Sequence, residues 1–195
     1  MTEDAVALAS GPWALPAIAL LVFADALLVV VPGEVAVTAA GALAVSAGAP
    51  PLVAVIAVAA AAAFCGDLCC YAVGRTVGLD RWRWMRHPRV VAGLGWAGAR
   101  LQRRTASTLF VARFIPFARL AVTLTAGASR LPALRFAGVT AAGATLWATY
   151  QAVIGAAVAT LVPGGPIAAI LVSITVALAL GLSLDAVLAR SVRGG

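Results

Sequence analysis

The chain contains no lysine: all 14 of its side-chain cations are arginines, set against seven acids and a single histidine, His87. Charge of either sign is scarce, at 11% of residues, while 63% are hydrophobic. That balance excludes an ordinary soluble domain. Cysteine is also scarce. Cys65, Cys69 and Cys70 all fall in one apolar run, which excludes a disulfide framework. Cys65 and Cys69 have helical i, i+4 spacing, but no histidine or further cysteine completes a metal site, so the three are expected to pack as small hydrophobes. The lone histidine stands in an arginine-rich stretch, and no cysteine has a base nearby. Nucleophilic and acid–base catalysis therefore lack their usual residues, and neither an enzyme, a metal nor a cofactor is expected. The N-terminus has Glu3 and Asp4 where a secretory signal would be basic, so the first apolar segment is expected to be retained.

What is present is membrane-like. Mean hydropathy is +1.04. Residues 52–73, 134–157 and 166–188 are each long and apolar enough to cross a hydrocarbon core of ~30 Å. Two further regions are apolar but broken. Residues 14–48 are interrupted at Pro32-Gly33-Glu34, and residues 109–127 at Pro116. Irregular backbone at membrane depth is tolerated only inside protein or along a cavity, so both are expected to be re-entrant hairpins or discontinuous helices, with Pro32, Gly33 and Pro116 as the breaks that shape a site. The expected fold class is an all-α polytopic membrane protein forming a single membrane domain over 1–195. It consists of two inverted repeats, each a re-entrant hairpin plus a transmembrane helix, and an additional C-terminal transmembrane helix.

Arginine placement sets the orientation. Eight arginines lie within residues 75–104, so this segment is expected to be a cytoplasmic, interfacial loop, its Trp82, Trp84 and Trp96 at headgroup depth. If 109–127 enters and returns on the same side, Arg130, Arg135, Arg190 and Arg193 are also cytoplasmic and the acidic N-terminus is outside. If it crossed fully, those four would be external. The net charge of +7 is thus accounted for by topology and anionic headgroups. Nucleic acid is a poor partner, because the arginines flank apolar spans. A homo-oligomer is compatible with the sequence.

Val31-Pro32-Gly33-Glu34 with Thr38 and Gly41 is similar to Ile115-Pro116-Phe117-Ala118-Arg119 with Thr123 and Gly127, once a small insertion is allowed. Each copy precedes a turn and a full span. By the topology above, one enters from outside and one from inside, as in transporters whose site lies at mid-membrane. The register places Glu34 and Arg119 at equivalent positions.

Four charges sit at membrane depth: Arg113, Arg119, Glu34 and Asp67. An arginine at the bilayer centre costs roughly 2.5–3.5 kcal/mol even on a lenient scale. In one reading the acids merely neutralise the arginines so that the hairpins can be buried. In the other, Arg113 and Arg119 grip an anionic phosphate as bidentate donors, and Glu34 and Asp67 compete for them and carry protons.

These residues carry a resemblance. Pro32-Gly33-Glu34 with Ala40-Gly41-Ala42, then Gly66-Asp67 with Tyr71, Gly74-Arg75 and Gly78, and above all Phe110, Arg113-Phe114-Ile115-Pro116 and Arg119 through Ala126-Gly127, Phe136, Gly143 and Trp147, resemble the DedA family of bacterial inner-membrane proteins, also called SNARE-associated or VTT-domain proteins. The resemblance covers roughly residues 23–155. It implies two opposed re-entrant helices, recycling of undecaprenyl phosphate across the inner membrane, and dependence on the proton-motive force. It implies functional acids at Glu34 and Asp67 and functional arginines at Arg113 and Arg119. Asp25 departs from the family pattern, in which an acid precedes the Pro-Gly-acid turn at a longer spacing. The function expected is a flippase for an anionic lipid carrier. The alternatives are a proton-coupled transporter of a small soluble ion, with a cavity closed to lipid, and a structural or assembly protein without turnover.

The arginine asymmetry makes a direct prediction. A single cysteine at position 130, in a background lacking the three natural cysteines, is protected from a membrane-impermeant thiol reagent in intact cells. Labelling from outside would show instead that 109–127 crosses the membrane.

Overall fold

The structure is a computed structural model. It describes residues 11–28, 31–77, 87–113 and 116–161, together with 172 and 175. The third expected span, 166–188, otherwise lies outside the described residues. Among them are six helices and no strand: α1 Ala14–Leu28, α2 Gly33–Ser46, α3 Leu52–Val77, α4 Pro88–Ala112, α5 Pro116–Ala128 and α6 Ala133–Leu161. Two of them, α3 and α6, are long and apolar enough to cross a membrane. The 14 residues of α2 and the 13 of α5 reach only ~20 Å at a helical rise of ~1.5 Å per residue. Many large apolar side chains face outward, among them Leu20 on α1, Val53 on α3 and Leu146 on α6. Such a surface suits lipid rather than water.

Both breaks have a local cause. Pro32 takes φ −80° and ψ 62°, and the Gly33 N–H donates to the Val31 carbonyl at 2.8 Å, which is an inverse γ-turn. At the second break Arg113 caps α4 and Pro116 opens α5. Proline suits a first helical position, where its missing N–H would be unbonded in any case.

One expectation is revised. Residues 75–104 are not all loop: α3 continues to Val77, and from Pro88 the chain is helical as α4. Arginines and Gly93, Gly95 and Gly98 disguise this helix in the sequence, since glycine is a poor helix former. Its buried face is nevertheless periodic, with Leu94, Ala97, Leu101, Thr108, Leu109 and Ala112.

The packing rests on glycine. The short helix α2 packs chiefly against α6, and α5 against α3. At the first crossing, a Cβ on Gly41 would strike the Ala152 carbonyl, and one on Gly155 the Thr38 carbonyl. At the second, Gly127 faces the Tyr71 carbonyl and Gly74 the Leu124 carbonyl. In all four helices the struck carbonyl belongs to the residue three positions before the glycine of its own helix. The Cα–H groups therefore point at facing carbonyls, contacts of about 0.5–1 kcal/mol each. Small residues permit this approach where hydrophobic burial does not drive association. Around the first crossing lies a core of Ile18, Val22, Val37, Val55, Trp147 and Ala152. Around the second lies one of Tyr71, Leu101, Leu109, Val122 and Phe136.

Valine at Gly41 or Gly127 forces a branched side chain into backbone. Each variant is expected to lose about 3 kcal/mol or more of stability, read as a fallen melting temperature in detergent. Gly138→Ala, with nothing within 4 Å of the added methyl, should instead gain up to ~1 kcal/mol from helix propensity. Equal tolerance at the three positions would refute the backbone-contact account.

Candidate functional site

The buried face of α3 runs through Ala59, Ala63, Gly66, Asp67, Cys70, Tyr71 and Gly74, so helical periodicity alone turns Asp67 inward. The buried face of α1 is Ile18, Val22, Asp25 and Ala26, which turns Asp25 inward as well. The two faces meet where Gly66 leaves room for the Ala26 methyl. That contact sets Asp25 and Asp67, the neighbours of Ala26 and Gly66, into one region. Arg113 reaches it from the end of α4, and Arg119 from the first turn of α5.

The charges pair. Arg113 Nη1 donates to Asp67 Oδ2 at 2.5 Å. Arg119 Nη2 donates to Asp25 Oδ2 at 3.2 Å and to the Asp25 carbonyl at 2.9 Å. All four residues are buried, and each pair lies within electrostatic reach of the other. The Arg113 guanidinium also lies 5.7 Å from the centre of the Trp147 ring, a cation–π contact. Gly143 leaves space for its stem: a Cβ there would stand 3.4 Å from Arg113 Cδ.

Pairing does not use every donor. The Nε and Nη2 groups of Arg113 and the Nε of Arg119 are buried and without a hydrogen-bond partner. Arg113 and Arg119 are among the residues lining a cavity of ≈ 10 Å³ whose walls include Asp67, Thr123, Thr140 and Gly143, room for about one water. A buried donor left unbonded costs about 1–3 kcal/mol, more when charged. The arrangement can accept an anion. Among the described residues, no group of three or more His, Cys, Asp or Glu side chains is placed to hold a metal ion.

Arg113, Arg119 and Asp67 thus come together, and Asp25, whose membership the sequence left open, joins them. Gly33 is part of the reason: a Cβ there would stand 2.9 Å from Asp25 Cβ, so the glycine after Pro32 leaves the room Asp25 occupies. Glu34 is half-buried in the first turn of α2, where the helix N-terminus favours an acid, and Tyr150 of α6 lies within its electrostatic reach. Asp25 reaches Arg119 because the buried face of α1 turns it inward and Gly33 leaves it room. A signal for Asp25 was present in its i, i+3 spacing from the apolar Val22.

The family model of the VTT domain matches residues 31–157. Searches of curated proteins and of solved structures returned no match. The matched span includes both helix crossings, Asp67, Arg113 and Arg119, and the chain belongs to the VTT-domain family, the DedA family.

Removing one partner of a buried pair strands a charge. Asp67→Ala is expected to cost about 3–5 kcal/mol, measured by thermal unfolding in detergent. The double variant Asp67→Leu, Arg113→Met should recover most of that loss, since apolar groups of similar volume replace the whole pair. A double variant as unstable as the single one would contradict this.

Proposed function

We propose that this protein, a member of a transporter-like membrane family, moves an anionic lipid carrier across the bacterial inner membrane, with undecaprenyl phosphate as its substrate and protons as the coupling ion. The observation that carries the proposal is the set of unpartnered N–H groups on Arg113 and Arg119, two residues that line one cavity. A phosphate monoester supplies several strong acceptor oxygens, and a guanidinium fork matches them two at a time. Outward-facing Leu146 and Val153 suit a substrate whose polyprenyl tail stays in lipid while its headgroup crosses. Transport needs no covalent step, in keeping with the lack of nucleophile and base pairs in the sequence.

A mechanism follows from competition. Asp67 holds one edge of Arg113 and Asp25 one edge of Arg119. An arriving phosphate offers each arginine another partner, and a carboxylate that loses its arginine in a buried place favours its protonated form. Release of the phosphate reverses both changes. Phosphate movement and proton movement are then two sides of one exchange of partners. Glu34 joins the coupling as a third acid from the α2 side. The cavity, with room for about one water, belongs to an occluded arrangement; the headgroup enters when the helices part.

The proposed architecture is an inverted repeat with α2 and α5 as the inner limbs of re-entrant hairpins. The matching glycine crossings support it, as does the length of the two short helices. In this orientation residues 75–104 face the cytoplasm, the N-terminus lies outside, and the cavity lies near mid-membrane where the breaks converge.

The test is reconstitution into liposomes with undecaprenyl phosphate, with and without a pH gradient. Arg113→Lys and Arg119→Lys should each reduce initial transport at least tenfold, since an ammonium lacks the bidentate fork. Glu34→Gln and Asp67→Asn, fixed in the uncharged form, should flatten the dependence of rate on pH. Full transport by both lysine variants would defeat the phosphate grip. An unchanged pH profile in both amides would leave the acids as counter-ions.

A further inference from the structure

Hydroxyl groups on membrane helices usually bond back to their own backbone. That holds here for Thr76 to the Ala72 carbonyl, Thr125 to Ala121, Thr145 to Ala141, Thr149 to Thr145 and Thr160 to Ala157. Thr108 reaches the Arg100 carbonyl and Thr38 the side chain of Gln151. Among the threonines whose side chains are described, Thr123 and Thr140 alone make no hydrogen bond. They are also the two that line the arginine cavity. Both residues are buried: Thr123 is 4% exposed and Thr140 6%.

Their positions are fixed by the same helices that fix the arginines. Thr123 follows Arg119 by four residues on α5, so both lie on one helix face. Thr140 precedes Gly143, the residue against the Arg113 stem, by one turn of α6. The cavity is thus lined by Arg119 and Thr123 from α5, Arg113 from the end of α4 and Thr140 from α6.

We infer that Thr123 and Thr140 are anion-binding residues, whose hydroxyls donate to the oxygens of a phosphate held between Arg113 and Arg119. A tetrahedral oxyanion has acceptor directions on every side, and two guanidinium planes cover only part of them. Hydroxyls rotate to meet the remainder and donate without adding charge. Because they stand on α5 and α6, they also tie the bound headgroup to both of those walls. The inference rests on the phosphate-transport reading and adds to it the residues that complete the headgroup site.

The experiment uses purified full-length protein in detergent. Binding of inorganic phosphate and of a short-chain polyprenyl monophosphate is measured in separate titrations by calorimetry. The variants are Thr123→Val, Thr140→Val, and serine and alanine at each position. Serine and alanine differ only by the hydroxyl, so their comparison stands even where a valine variant fails to fold. Valine and alanine should weaken binding of the lipid phosphate roughly tenfold or more, as for one hydrogen bond to a charged group, while serine stays within about twofold of wild type. Valine and alanine variants that bind as tightly as wild type would overturn the inference and leave the transport reading intact. So would serine variants as weak as alanine, since the cause would then be lost packing. A wild type that binds neither probe would defeat the transport reading and this inference with it. Equal affinity for both probes, with the same dependence on the hydroxyls, would keep the threonine assignment and make free phosphate the ligand.

Discussion

The energetic problem of this fold is where to put two guanidinium groups. A buried ion keeps a penalty of several kcal/mol after the surroundings relax, and only a partner of good geometry offsets it. Arg113 and Arg119 flank a helix break and cannot withdraw to the surface without unfolding it. Each therefore needs a carboxylate delivered from another helix. Asp67 arrives on α3 and Asp25 on α1, and the close approach of those helices at Gly66 and Ala26 puts both acids within reach. Neither pair is close to saturated by hydrogen bonds. The charges are held, but the donors around the cavity remain open.

Much of this arrangement is legible in the residues. Charges in apolar sequence, a proline beside them and a glycine before Asp67 locate the convergence of Asp67, Arg113 and Arg119. The positions of both breaks follow from Pro32 and Pro116. Two things were less visible. Helix α4 is coded by a weak apolar period among arginines and glycines, and its buried face emerges chiefly through contact with α5. The partner of Arg119 depended on how α1 packs against α2 and α3, a tertiary fact that alanine-rich helices with few distinctive landmarks do not announce. Sequence periodicity places Asp25 on a buried face, but only the room left by Gly33 shows why it lies there.

The two cores divide the labour. One, around Trp147 and Val22, holds α1, α2, α3 and α6 together. The other, around Tyr71 and Phe136, whose rings stack at 4.4 Å, binds α4 and α5 to α3 and α6. The Tyr71 hydroxyl donates to the Leu131 carbonyl and receives a hydrogen bond from Arg75 at 2.8 Å, tying the end of α3 to the turn between α5 and α6. Trp147 belongs to the first core and contacts Arg113, which ends the helix that contributes most to the second. The charges therefore sit between the two apolar cores, which share α3 and α6.

Helices that interlock by side chains form ridges and grooves, and moving one past another means lifting each knob from its hole. At the Gly41–Gly155 and Gly74–Gly127 crossings backbone lies against backbone. The closeness itself supplies attraction there, so a single added methyl would act on the spacing of two helices rather than on the fit of one side chain.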